Sequence, residues 1–125
     1  MIKVDHVTKT FGPKRAVDDL SFTVERGEVL GFLGPNGAGK STTMRMITGF
    51  IPVDAGSVSV CGFDIATKPI EARRRIGYLP ESAPTYTDMS VNGFLGWAAE
   101  MRGLSGDAKK KAVHRASDLC SLGSV

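Results

Sequence analysis

The stretch GPNGAGKST, residues 34–42, decides how the chain is read. Gly34, Gly39, Lys40 and Ser41 fit the pattern Gly, four residues, Gly, Lys, then Ser or Thr. With glycine near 7% of residues, that pattern arises by accident in under ~1% of chains this long. The spacing has a chemical reason. Glycines at 34, 37 and 39 let the backbone turn where other residues cannot, bringing several N–H groups around a phosphate chain. A helix opening near Lys40 adds the partial positive charge of its N-terminus. Lys40 then reaches the β- and γ-phosphates, the Ser41 hydroxyl takes a place on Mg²⁺, and Thr42 is set for the α-phosphate. Such a loop holds a nucleoside triphosphate with Mg²⁺, and by itself names neither the base nor the chemistry that binding leads to.

Outward from the loop, the pattern predicts an α/β fold. Val29 to Leu33 is a nearly continuous apolar run and predicts a strand buried on both faces. Lys40 to Thr48 predicts a helix with Met44 and Ile47 on one side and Gly49 ending it. Strands are expected at Ile2–Val7, Leu20–Val24 and Ser57–Cys61, the last closed by Gly62, and a second apolar strand at Ile76–Leu79 before Pro80. Pro69–Arg75 suits a short helix. Ser90 is an N-cap for a helix to Arg102 with Val91, Phe94, Leu95, Ala98 and Met101 along a stripe, weakened by about 1 kcal/mol each at Gly93 and Gly96. A last helix is expected from about Asp107 to Leu122.

Composition narrows the function classes. The 125 residues are 42% hydrophobic and 23% charged, as in an ordinary globular domain of about one core. Sixteen basic against thirteen acidic residues is too balanced for a nucleic-acid binder. Arg73–Arg75 and Lys109–Lys111 read as solvated faces, because adjacent residues of a helix point in different directions. Cys61 and Cys120 fit free thiols in a reducing cytosol, and His6 and His114 have no partners at ligand spacing. The N-terminus lacks the apolar core of a secretory signal, and no window approaches the ~20 apolar residues of a membrane span, so work at a membrane would need a partner.

Three further stretches carry a family resemblance: MRMITGF directly after the loop, PVDAGSVSVCGFDI, and RRRIGYLPE. In order and spacing the chain resembles the N-terminal half of the ATP-binding subunit of an ABC transporter. IGYLPESAPTYTDMSV is similar to the exporter branch that includes gliding-motility and multidrug ATP-binding subunits. The resemblance implies a P-loop nucleoside triphosphate hydrolase fold, incomplete here. Residues 1–28 would form a mainly antiparallel β subdomain, 29–81 the core from phosphate loop to Q-loop, and 82–125 the truncated start of a helical subdomain. It implies ATP and Mg²⁺ as ligands, held by Gly34, Asn36, Gly37, Ala38, Gly39, Lys40, Ser41 and Thr42, with Asn36 near the γ-phosphate. Phe11 takes the place of the aromatic that stacks on adenine.

Glu81 stands where the family usually has the Q-loop glutamine, and as a hard oxygen ligand it would join Ser41 on Mg²⁺. Phe94, Leu95 and Trp97 would be core or part of a groove for a transmembrane permease subunit. A second ATP-binding subunit would close ATP at a dimer interface. The chain would then lie in the cytoplasm, on the inner face of the membrane. Three parts of the family's machine are not in these residues: the LSGGQ-type segment, an apolar strand ending in Asp-Glu, and a switch histidine. Leu104-Ser105-Gly106-Asp107 lacks the second Gly and the Gln. The two readings are thus the ATPase subunit of an exporter, represented by its N-terminal half, and a truncated, non-catalytic ATP-binding module that is marginal alone. An unrelated P-loop kinase or GTPase is disfavoured, since no Asn-Lys-x-Asp segment occurs.

Overall fold

The computed structural model describes residues 1–82 and 86–122; the parts of the expected helical segment at 83–85 and 123–125 lie outside the described residues. The chain divides into two compact units, Met1–Tyr78 and Leu79–Val125. In the first, β1 (Ile2–Phe11) and β2 (Lys14–Val24) form a hairpin around Gly12 and Pro13. β3 (Ala55–Val60) pairs antiparallel with the other side of β1, and the two-residue β4 (Phe63–Asp64) with β3, giving the order β2-β1-β3-β4.

Val4 and Val7 are both buried although three residues apart, where a regular pleat would put them on opposite faces. A register shift between them, with His6 at φ 48°, restores both to the core. Side chains mend the interrupted ladder. The His6 N–H donates to Ser21 Oγ at 2.8 Å, the Asp19 N–H donates to Thr8 Oγ1 at 3.1 Å, and His6 Nδ1 lies 2.6 Å from Asp19 Oδ1. The hydrogen bond to Asp19 raises the His6 pKa above the ordinary imidazole value.

α1 (Lys40–Ile47) buries Thr43, Met46 and Ile47, an i, i+3, i+4 stripe, against the core valines Val4, Val7, Val58 and Val60. This corrects the expected pairing of Met44 with Ile47. Met44 is exposed and Met46 is fully buried, because the face turned to the sheet is the one centred on Thr43. The helix ends as its sequence predicts, with Gly49 at φ 71° and the Phe50 N–H donating to the Arg45 carbonyl at 2.8 Å. Arg73, at the end of α2 (Pro69–Arg73), donates to the Gly49 carbonyl at 2.7 Å.

Two expected strands are corrected. Val29–Leu33 and Ile76–Leu79 carry no ladder among the described residues, and Val29, Leu33 and Leu79 are 95%, 96% and 83% exposed. A segment apolar on both faces becomes a strand only between neighbours that pair its N–H and C=O groups. The four strands present pair with one another in the order β2-β1-β3-β4, and none of them pairs with either segment.

In the second unit, Ser90 caps α3 (Val91–Met101) by accepting the Gly93 N–H at 3.1 Å, as expected. α4 (Gly106–Leu119) packs beside it. A Cβ on Gly96 would stand 3.3 Å from Lys109 Cε, so the missing side chain lets the lysine stem cross α3 while its ammonium meets Glu100 at 2.6 Å. Leu95, Ala98 and Ala99 line a groove with Ala112, Val113 and Ala116. The predicted stripe is narrower than expected, with Val91 and Met101 exposed, since the groove beside α4 is lined on α3 by Leu95, Ala98 and Ala99. Phe94, Trp97 and Tyr86 form a separate aromatic cluster with ring centroids 5.2–6.5 Å apart. Among the described residues no helix is long and apolar enough to cross a membrane.

Two features of the sheet set measurable stability. Asp54 accepts Lys9 Nζ at 2.6 Å and the Thr10 N–H at 2.8 Å, and these bonds, Lys9 first, hold its carboxyl below the usual carboxylate range. A lowered native pKa stabilises the fold fully above the ordinary value of about 4, and the gain is lost as pH falls through the native value. Asp54→Asn is therefore expected to lower stability at pH 7 and to approach wild type as the pH falls toward 3, read by urea denaturation across that range. Gly56, at φ 81°, has no room for a Cβ, which would run into the carbonyl oxygens of Asp5 and His6. Gly62 has the same φ and open space around it. Gly56→Ala is expected to cost about 1–3 kcal/mol and clearly more than Gly62→Ala, measured by thermal unfolding of both.

Candidate nucleotide-binding site

The phosphate loop lies between the 29–33 segment and α1. Pro35, Asn36, Gly37 and Ala38 turn on themselves, with the Ala38 N–H donating to the Pro35 carbonyl at 3.2 Å. Gly39 is the N-cap of α1 at φ 84°, and its place is enforced from outside the loop. A Cβ there would collide with the Ala16 carbonyl oxygen of β2 and stand 3.1 Å from Val17 Cγ2. Only glycine lets the loop seat directly on the strand, and the seat fixes where α1 begins.

The first helical hydrogen bond runs from the Thr43 N–H to the Gly39 carbonyl at 2.8 Å, joined by the buried Thr43 hydroxyl at 3.0 Å. The N–H groups of Lys40, Ser41 and Thr42 are therefore without intrahelical acceptors, and no acidic residue stands in the first turn to take up their partial charge. Ser41 is exposed and Thr42 half-buried in that turn. Lys40 folds back over the loop, Nζ donating to the Gly34 carbonyl at 2.5 Å and the Pro35 carbonyl at 2.7 Å. The ammonium thus stands inside the curve of its own loop. Residues 34–42, which the sequence singled out, form one loop and the start of α1, with the Lys40 ammonium bonded to two loop carbonyls and the first-turn amides of α1 without intrahelical acceptors.

Phe11 is half exposed at the end of β1, opposite Lys14 in the hairpin. Lys9, buried to 8% exposure and paired with Asp54, places its ammonium 5.5 Å from the centroid of the Phe11 ring. The hairpin is held against the same loop by Ala16 and Val17, so Phe11 and the phosphate loop belong to one packed unit. Glu81 lies in the second unit, on an exposed bend after Pro80. Beside the loop a cleft of about 460 Å³ opens, lined by Leu20, Phe22, Leu30, Phe32 and Lys40, in which Phe22 and Phe32 meet edge to face.

Reading the sequence missed Lys9 and Asp54 because their pairing arises across strands, at a separation no local motif spans. Alternation places Lys9 on the side of Phe11, a weak signal; nothing local couples either to Asp54.

Mg²⁺ bound through phosphates needs only one or two protein oxygens, and the exposed Ser41 hydroxyl in the first turn fits that demand. Among the described residues no group of three His, Cys, Asp or Glu side chains is placed to hold a metal on its own.

The family model described as ABC transporter matches residues 17–123. The linearmycin resistance ATP-binding protein LnrL of Bacillus subtilis is 39% identical over 114 residues, covering 90% of this chain and 37% of LnrL. The probable multidrug ABC transporter ATP-binding protein YbhF of Escherichia coli is 36% identical over 125 residues, the whole of this chain and 22% of YbhF. Among solved structures, an ATP-binding subunit of an ABC transporter superposes with TM-score 0.78 at 33% identity, over 86% of this chain and 45% of that one. The chain thus spans less than half the length of these relatives. With the phosphate loop, the antiparallel sheet and the match over residues 17–123 in agreement, the chain belongs to the ABC transporter family and forms part of its P-loop ATP-binding domain.

Proposed function

We propose that the chain binds ATP with Mg²⁺ as part of the nucleotide-binding subunit of an exporter, in which ATP hydrolysis is coupled to transport. The observation that carries this is the Lys40 ammonium folded onto the carbonyls of the glycine-rich loop at the N-terminus of α1. Gly34, Asn36, Gly37, Ala38 and Gly39 would wrap the β- and γ-phosphates with backbone N–H groups, and Lys40 would exchange its two carbonyl partners for phosphate oxygens. Thr42 would serve the α-phosphate, and Phe11 would stack on adenine. Ser41 and Glu81 would hold Mg²⁺, which when bound neutralises charge between the phosphates. Names of relatives in drug resistance and multidrug transport support the export reading.

Turnover would need groups beyond these residues, because positioned water and charge stabilisation around the leaving phosphate come from segments this sequence does not contain. In the full assembly a second ATP-binding subunit would supply them across the nucleotide. A transmembrane permease subunit would dock on the cytoplasmic side and carry substrate selectivity. The aromatic cluster of exposed Tyr86 and half-buried Phe94 and Trp97 would take part in such a contact.

Lys40→Ala is expected to weaken ATP·Mg²⁺ binding about 10- to 100-fold, the size of a charge-assisted hydrogen bond, as read by equilibrium titration. Unchanged affinity would overturn the site. Glu81→Gln removes a negative charge from beside the triphosphate and is expected to lower the Mg²⁺ concentration needed for ATP binding. If both affinity and Mg²⁺ requirement stay as in wild type, Glu81 is not a ligand.

A further inference from the structure

β2 starts alongside the phosphate loop, and its first residues meet the loop in order. Lys14 Nζ lies 3.9 Å from where a Cβ on Gly37 would stand, closer to that point than any other atom of the described residues outside Asn36–Ala38. Two and three residues on, Ala16 and Val17 close against Gly39. The strand therefore tracks the loop, and the contact at Gly39 fixes the distance of Lys14 from the turn at Asn36 and Gly37.

The neighbouring cations are engaged elsewhere. Lys9 is bound to Asp54, Arg15 to Asp18 at 2.9 Å, and Lys40 to two loop carbonyls. Lys14 is exposed and, among the described residues, has neither an ion pair nor a side-chain hydrogen bond. An unpaired ammonium is thus held over a loop already made positive by Lys40 and the amides of α1. That arrangement is unfavourable by itself and becomes favourable when an anion enters.

We infer that Lys14 is a second phosphate-binding cation of this site, reaching the triphosphate chain from the hairpin side while Lys40 holds it from within the loop. A lysine suits the task, since a point charge on a flexible stem can follow a phosphate without fixed geometry. Lys14 is also the direct cross-strand partner of Phe11. One hairpin end would therefore present the ring for the base and the charge for the phosphates.

This rests on the ATP-binding reading, and the test separates the two. Wild type, Lys14→Ala, Lys14→Arg and Lys40→Ala are titrated with ATP·Mg²⁺ and with inorganic tripolyphosphate at several salt concentrations. Lys14→Ala is expected to weaken both ligands about three- to tenfold with a shallower salt dependence, and Lys14→Arg to stay within about twofold of wild type. If Lys40→Ala loses affinity while Lys14→Ala matches wild type for both ligands, Lys14 is a solvated surface lysine and the inference falls alone. If Lys14→Ala weakens ATP and leaves tripolyphosphate unchanged, Lys14 acts through Phe11 and the phosphate role is likewise overturned. Should wild type bind neither ligand, the ATP-binding reading fails and takes this one with it.

Discussion

The contact between Gly39 and the backbone of Ala16 is the constraint on which the site depends. A loop rich in glycine is free to take many shapes, and freedom of that kind opposes binding. Here the loop's last residue is pressed against a strand with no room for a side chain. That single approach fixes the start of α1, hence the direction in which Lys40, Ser41 and Thr42 present their N–H groups. It also fixes the spacing between the loop and the hairpin end that carries Phe11 and Lys14.

The hairpin is in turn held by polar devices. The bulge at His6 keeps Val4 and Val7 on the core side, and without it the second half of β1 would present its opposite face. Asp54, from the turn before β3, reaches Lys9 and the Thr10 N–H near the end of β1. A residue more than forty positions away thus steadies the strand end where the aromatic stands. Lys9 stays buried at little cost because its charge is met by a carboxylate and its ammonium faces a ring.

Legibility followed range. The loop, α1, the end of α1 at Gly49 and the Ser90 cap could all be read, since each is specified by residues within a turn or two of one another. The strands of the hairpin were legible as existing but not in extent, since a bulge breaks the alternation by which strands are recognised. Spacing points to Met44 where the structure buries Met46, because a helix of 8 residues offers two overlapping stripes and only the position of the sheet chooses between them. Val29–Leu33 and Ile76–Leu79 have the composition of buried strands, yet a strand is a relation between segments, and composition names only one partner.

By itself the sequence determined the chemistry of the loop and the family to which it belongs, because a phosphate cradle is built from consecutive residues whose backbone freedom and charge are local properties. Tertiary structure alone decided which residues attend that loop from elsewhere. The seat of Gly39 on Ala16, the hold of Asp54 on Lys9 and the approach of Lys14 to Gly37 arise when strands pair in a particular register. Register depends on summed pairing and packing across the sheet, a sum over distant residues that no short stretch contains.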